Sequence, residues 1–138
     1  MKLTPIEFSV EGVSFQVTFA VEVDYVVATL HAPPDFQLLG RVLTMAWKLA
    51  PVQLLQGLVD SQPLSRGEFF TISYNDNPED PDEPVGVNLY EDEEHLNVSR
   101  TFFTDVVLEL AFAHLDLVGE DHFPWYEDLS PEVHALLR

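Results

Sequence analysis

Apolar residues recur at every second position early in the chain, which is the pattern of β-strands that bury one face. Segment 13–20 shows this pattern most clearly, and segments 5–10 and 24–31 are also rich in β-branched and aromatic residues. The alternating apolar residues of segment 13–20 are Val13, Phe15, Val17 and Phe19. The pattern predicts three strands in an antiparallel meander, with a tight hairpin turn at Glu11-Gly12.

The spacing of apolar residues becomes helical after two consecutive prolines. It predicts a broadly buried helix over 35–49 and a shorter helix over 51–59. The polar side of the first helix consists of Gln37, Arg41, Thr44 and Lys48. A third segment, 101–118, is apolar almost all round, which predicts a helix buried against a sheet, with Ser99 or Thr101 as its cap. Ser130-Pro131 then opens a last short helix, with serine as the cap and proline at the first position.

Three further strands are predicted between the second and third helices. Segments 68–74, 85–90 and 95–98 are short and apolar, and polar turns separate them. The first of these turns is the proline-rich loop 75–84, and the second is the run 91–94. If segments 68–74 and 85–90 pair as a hairpin, the loop 75–84 and the run 91–94 lie at opposite ends of the strand formed by segment 85–90.

The order of elements predicts one α+β domain that covers residues 1–138. Strands and helices follow one another as β-β-β-α-α-β-β-β-α-α, with short connections and no internal repeat. We therefore predict a mainly antiparallel sheet of about six strands, packed against long apolar helices.

The net charge and its distribution along the chain indicate which class of partner the protein binds. The formal net charge is −18, far beyond the magnitude of roughly 2–8 that is usual for a small domain. Residues 1–66 contribute −2 and residues 67–138 contribute −16. Nucleic acids and anionic membranes need a basic surface, so both are disfavoured as partners. A basic protein partner is favoured, because a concentrated negative field speeds its association.

The acidic residues concentrate in segment 76–94, where no lysine or arginine occurs. We predict a partner-binding surface there, with Tyr74 and Tyr90 as candidate aromatic anchors. The candidate residues are Asp76, Glu79, Asp80, Asp82, Glu83, Tyr90, Glu91, Asp92, Glu93 and Glu94. The alternative is a pair of solvated loops whose charge serves solubility alone. A second acidic surface is conceivable on the third helix, although Asp105, Glu109 and Asp116 are more typical of a solvent-facing helix edge.

The motifs of common catalytic and metal sites are missing. The chain has no cysteine, no HExxH, no G-x-S-x-G, no phosphate-binding glycine loop and no EF-hand spacing in the acidic loop. We predict a non-enzyme with no catalytic residues, no metal and no cofactor. The start, MKLTPIEFSVEG, contains no apolar run of signal-peptide length, so we expect a cytoplasmic protein.

The stretch FFTISYNDNPEDPDEPVGVNLYEDEEHLNVSRTFF, residues 69–103, resembles small bacterial immunity proteins of contact-dependent and polymorphic toxin systems. The resemblance implies a cytosolic monomer that binds one toxin domain, often a basic nuclease, and blocks its active site. An acidic, dimeric secretion-effector chaperone is the alternative, although chaperones of that kind usually begin with a helix. An unrecognised hydrolase is the third possibility.

Overall fold

The computed structural model describes residues 3–23, 25–119 and 125–137, and within these ranges the chain is α+β. The strands are β1 Ile6–Val10, β2 Val13–Val21, β3 Val26–His31, β4 Leu64–Ser65, β5 Thr71–Asn75, β6 Gly86–Glu91 and β7 Glu94–Val98. The helices are α1 Gln37–Leu49, α2 Pro51–Asp60, α3 Arg100–Val118 and α4 Pro131–Leu136. Short 3-10 turns cover Pro34–Phe36 and Tyr126–Asp128.

The strands form two antiparallel sheets, one with the order β1-β2-β3 and one with the order β4-β5-β6-β7. The first is the predicted meander. Its β1–β2 turn is the predicted Glu11-Gly12 pair, and both residues have positive φ values of 49° and 82°. Glycine adopts this left-handed conformation without the steric cost that a side chain brings.

The prediction of one sheet of about six strands is wrong, and the reason lies at the outer edge of β3. Helix α1 packs along this edge, where the Leu30 N–H donates a hydrogen bond to Thr44 Oγ1 at 2.9 Å. At Gly40, an added Cβ would lie 3.0 Å from the Leu30 carbonyl oxygen. Because a helix occupies the edge, the later strands cannot extend this sheet and pair with one another instead.

The prediction of long apolar helices is also wrong. Helix α1 has 13 residues, α2 has 10 and α4 has 6, whereas α3 has 19 but exposes Asp105, Glu109 and Asp116 along one side. The predicted caps of the last two helices are present at Ser99 and Ser130, whose hydroxyls accept a hydrogen bond from a first-turn N–H. Among the described residues no single helix is long and apolar enough to cross a membrane. The segments Pro34–Leu49 and Pro51–Asp60, with a bend of 112° between them, meet this criterion only as a pair.

A continuous apolar core joins the two sheets through α1 and α3. Helix α1 packs against β3 on one side and against β6 and β7 on the other, and α3 packs against β1, β3 and β6. Phe103 is the largest fully buried side chain. The alternate residues of each sheet that face this core are buried, so their neighbours form a second, outward face on each sheet.

Candidate functional site

The outward side of the four-stranded sheet is polar, and it lies beside the acidic segment. In β6, Val87 and Leu89 point into the core and are fully buried. The residues between them and on the neighbouring strands therefore point the opposite way, because side chains alternate along a strand. We define the outer face by Ser73, Asn88, Tyr90, His95 and Asn97.

Asn88 is the centre of a hydrogen-bond network on the outer face, and its side chain is 0% exposed. Its Oδ1 accepts from His95 Nε2 at 2.8 Å and from Asn97 Nδ2 at 3.1 Å. Its Nδ2 donates to the Pro84 carbonyl at 2.9 Å. Because an amide oxygen only accepts, His95 Nε2 carries the hydrogen. One amide thus connects two strands and the loop that precedes β6.

We define the acidic loop as residues 76–85, the connection between β5 and β6. Three asparagine side chains hold its last three residues by their backbone carbonyls. Asn75 Nδ2 donates to the carbonyl of residue 83 at 2.6 Å, Asn88 holds that of residue 84, and Asn97 Nδ2 donates to that of residue 85 at 3.0 Å. The final part of the acidic loop is thereby fixed to the polar side of the sheet.

The first part of the acidic loop is ordered by its own side chains. Asn75 Oδ1 accepts from the N–H of Asn77, and Asn77 Oδ1 accepts from the N–H of Glu79. Asp80 repeats the pattern with the N–H of Asp82 at 2.9 Å. These are Asx turns, in which a side chain two residues back replaces a backbone acceptor. The loop has a defined shape, and Asp80 contributes to it.

Glu83 is the member of the acidic loop that reaches over the outer face. Its carboxylate accepts from Ser73 Oγ at 2.9 Å and from the Tyr90 hydroxyl at 2.6 Å. Burial, together with this hydrogen bond to Glu83, raises the pKa of Tyr90 to about 12. Tyr90 is therefore a neutral phenol at physiological pH, and its position is set by the carboxylate that it contacts.

The Tyr90 ring also stacks on His95, with ring centroids 4.5 Å apart and an interplanar angle of 7°. These two residues face each other across β6 and β7. Stacking on one side and the Glu83 hydrogen bond at the hydroxyl leave the ring little freedom. The outer face thus presents an aromatic group whose orientation is set before any partner arrives.

Two carboxylates of the predicted 91–94 turn are paired with α1. Arg41 Nε lies 3.0 Å from Glu91 Oε1, and Arg41 Nη2 pairs with Glu94. The turn itself consists of Asp92 and Glu93, and Asp92 adopts a φ of 53°. Arg41 belongs to the predicted polar side of α1, so this basic side chain neutralises part of the acidic segment.

Arg100 pairs with the first residue of the acidic loop. Its Nη1 lies 3.4 Å from Asp76, and its Nη2 donates to Ser61 Oγ at 2.5 Å. The guanidinium also lies over the Tyr74 ring, 5.1 Å from the centroid. Burial raises the pKa of Tyr74 well above its usual value, although Arg100 acts in the opposite direction. Asp76 is thus engaged with the protein itself.

The ten predicted residues therefore divide into two groups. Those with side-chain ion pairs or hydrogen bonds inside the described chain are Asp76, Asp80, Glu83, Tyr90, Glu91 and Glu94. Those that are exposed and have no such side-chain partner among the described residues are Glu79, Asp82, Asp92 and Glu93. As predicted, the loop and the turn lie at opposite ends of β6, but Glu83 extends from one towards the other.

Sequence reasoning missed the residues that organise this surface, namely Ser73, Asn88, His95 and Asn97. Polar residues at alternate strand positions are typical of a solvated face, so the alternation alone did not distinguish these residues from solvent-exposed ones. One signal was present, because asparagine is depleted in strands. Its occurrence at Asn88 in β6 and at Asn97 in β7 indicated a specific structural role.

Comparisons with known protein families, with curated proteins and with solved structures give no match. The resemblance to immunity proteins therefore stays a prediction, and function has to be argued from the site itself. Within the described ranges, no group of three or more histidine, aspartate or glutamate side chains is arranged to hold a metal ion. The chemistry that the outer face offers is hydrogen bonding, aromatic contact and attraction of cations.

Proposed function

We propose that this protein is a cytoplasmic bacterial immunity protein, which binds a basic toxin domain of the nuclease kind and occludes its active site. The observation that carries the proposal is a group of exposed carboxylates around an ordered polar sheet face, with no ion-pair partner in the described ranges. They are Glu79, Asp82, Asp92 and Glu93. Such a surface is complementary to a cleft that binds nucleic-acid phosphates. Its carboxylates and the phosphates present negative charge to the same lysines and arginines of the cleft.

The rigidity of the surface supports the same function. Tight inhibitors lose little conformational entropy on binding, because their contact residues are already ordered. Here the acidic loop is held by three asparagines and by Asx turns, and the turn between β6 and β7 is held to α1 by Arg41. Long-range attraction then steers the partner, with association rates up to ~10⁸–10⁹ M⁻¹s⁻¹ at low salt.

The function is tested by co-expression with the product of the adjoining gene in a bacterial host. We expect that gene product to arrest growth when it is expressed alone, and growth to resume when this protein is present. Growth arrest that this protein does not relieve, with no complex detected by gel filtration, would overturn the proposal.

The surface is tested separately, by the rate of association with that gene product. The site variant carries E79Q, D82N, D92N and E93Q, and the control variant carries E7Q, D105N, E109Q and D116N. Both variants lose four negative charges. We expect the site variant to associate about tenfold more slowly at low salt and the control to change less than about twofold. Equal losses would mean that net charge alone matters and that this surface is not the interface.

A secretion-effector chaperone is the second candidate, and one observation favours it. The tip of the β2–β3 hairpin exposes Val21, Val23 and Tyr25, with Val23 95% exposed. Exposed apolar groups of this kind are typical of dimer or client surfaces. Light scattering separates the two candidates, since a stable dimer supports the chaperone and a monomer supports the immunity protein.

A further inference from the structure

A cavity of about 320 Å³ opens beside Tyr90, at the end of the sheet where β5 begins. It is lined by Gly67, Glu68, Phe70, Thr71, Tyr90 and Asp92. Ligand pockets for small molecules range from roughly 300 to 1,000 Å³, so this cavity lies at the small end of that range. Its size suits one long side chain or a similar small group.

Tyr90 is the lining residue whose ring has the most closely defined position. In the sheet, Tyr90 lies between Thr71 of β5 and His95 of β7. The ring stacks on His95 of β7, and Thr71, its neighbour in β5, also lines the cavity. The hydrogen bond from the Tyr90 hydroxyl to Glu83 fixes the ring further. The cavity is therefore lined by an aromatic residue whose ring orientation is already set.

Two carboxylates at the cavity have no cationic partner in the part of the chain that the structure describes. Glu68 and Asp92 are exposed, and neither takes part in an ion pair there. The nearest cation in sequence is Arg66, and its guanidinium donates to the Ser65 carbonyl at 3.4 Å. The cavity thus joins an aromatic face with uncompensated negative charge.

We propose that this cavity receives one arginine side chain of a basic protein partner. A guanidinium is planar, so it can stack on Tyr90 while its several N–H groups donate to Glu68, Asp92 and the Thr71 hydroxyl. A lysine ammonium has no plane to stack and fewer donors. An anionic group is excluded by the two carboxylates. Phe69, 61% exposed and next to Glu68, would contact the partner at the rim.

This inference rests on the proposed function, because it identifies a group of the basic partner. The partner's contact is assigned to the cavity beside Tyr90 and to one kind of side chain, an arginine. The cavity also adds Glu68 and Thr71, which lie outside the acidic segment that charge alone pointed to.

The test is an NMR titration of the labelled full chain with three capped amino acids. The probes are the N-acetyl amides of arginine, lysine and citrulline, and citrulline is a neutral analogue of arginine. We expect arginine to give saturable shifts at amides 67–71 and 90–92, with a Kd on the order of millimolar. Lysine should bind more weakly, and citrulline should not bind measurably. Shifts spread evenly over all acidic regions, or equal affinity for arginine and lysine, would overturn the proposal.

Matched variants separate the cavity from bulk charge. E68Q/D92N removes both carboxylates of the cavity, and asparagine tolerates the positive φ of residue 92. E79Q/D82N removes two charges from the acidic loop and serves as the control. We expect the first variant to weaken arginine binding by about tenfold and the control by less than about twofold. If the double variant does not fold, Glu68→Gln alone carries the test. Equal weakening by the two variants would contradict the proposal.

The same variants keep this inference distinct from the proposed function. If the toxin partner binds E68Q/D92N as tightly as the unmodified protein, the cavity is not an arginine site in the complex, and the immunity function still stands. If no basic toxin exists but arginine binds in the cavity, the proposed function is wrong while the cavity assignment holds for another basic partner.

Discussion

The two sheets bury similar inner faces but have very different outer faces. On the three-stranded sheet, the side chains that point outward include Gln16, Thr18 and His31. Among the described residues, these three side chains form one side-chain hydrogen bond, which joins Thr18 to His31 at 2.8 Å and is exposed. On the four-stranded sheet, a fully buried asparagine organises two strands and a loop. Burial drives both sheets to form, whereas only one of them carries a structured polar surface.

This difference shows where a binding function can be placed on an α+β domain. A solvated sheet face tolerates change, and a face organised by buried hydrogen bonds does not. Burying polar groups costs desolvation free energy, and such an arrangement is expected where a face must keep a fixed shape. Four predictions test the contrast, beginning with the substitutions that should change stability most.

The inner faces should respond alike to loss of a core leucine. Leu30 of β3 and Leu89 of β6 are both buried, at 3% and 0% exposure. We expect Leu30→Ala and Leu89→Ala each to lower the free energy of unfolding by about 3 kcal/mol, because each leaves a cavity in the shared core. Urea denaturation measures both values. A loss below about 1 kcal/mol at either position would show that the inner face concerned is not packed in the core.

The outer faces should respond differently to loss of a polar side chain. Asn88→Ala leaves His95, Asn97 and the Pro84 carbonyl without a shared partner, so we expect a loss of about 2 kcal/mol. Thr18→Ala removes an exposed hydrogen bond and should cost about 0.5 kcal/mol or less. Urea denaturation again provides the measurement. Comparable costs for the two variants would remove the contrast between the faces.

Acid should weaken the packing next to the three-stranded sheet. Burial lowers the pKa of His114 to about 4, and its Nδ1 accepts from Trp47 Nε1 beside Phe19 of β2. The unfolded chain binds a proton near pH 6.5 and the folded chain does not, so stability is complete above that pH and falls towards pH 4. We expect this residue to remove about 1 kcal/mol between pH 7 and 5.5.

The readout is a difference between two proteins, so that the effects of acid on the rest of the chain cancel. His114→Gln keeps an acceptor for Trp47 but does not titrate. The free energy of unfolding of the unmodified protein should fall more steeply with acid than that of the variant. Parallel pH profiles would show that His114 titrates normally in the folded state.

The link between the four-stranded sheet and α1 should contribute least. Arg41 is 44% exposed, and its pairs with Glu91 and Glu94 are partly screened by solvent. We expect Arg41→Gln to cost about 0.5 kcal/mol at low salt and almost nothing at high salt. Lys48→Gln, on the same side of α1, is the matched control. An effect of Arg41→Gln that salt does not change would rule out the electrostatic explanation.

Much of the local structure could be predicted from the sequence. Alternation and turn residues gave the six strands that were expected, the Glu11-Gly12 turn, and the caps at Ser99 and Ser130. The two-residue strand β4 was missed, because it is too short to show a period. The division into two sheets was missed for a different reason. A period of two shows that a strand has an inner side but does not show which strand lies beside it.

The candidate site, like the fold, was predictable from the sequence only in part. The location of the acidic segment follows from the sequence, since charge is a property of composition. That Arg41 would neutralise Glu91 and Glu94, or that Asn88 would hold the acidic loop, depends on contacts between residues far apart in the chain. No local pattern contains that information.

The amino-acid sequence alone was enough to specify the helices, every strand except the two-residue β4, the total charge and the half of the chain that carries it, because these are local properties of the chain. Three features depended on the tertiary structure: α1 closes the edge of β3, certain carboxylates lack a partner within the part of the chain that the structure describes, and Tyr90 lines a small acidic cavity. These features arise from packing in three dimensions, where each side chain meets partners that its own segment does not specify.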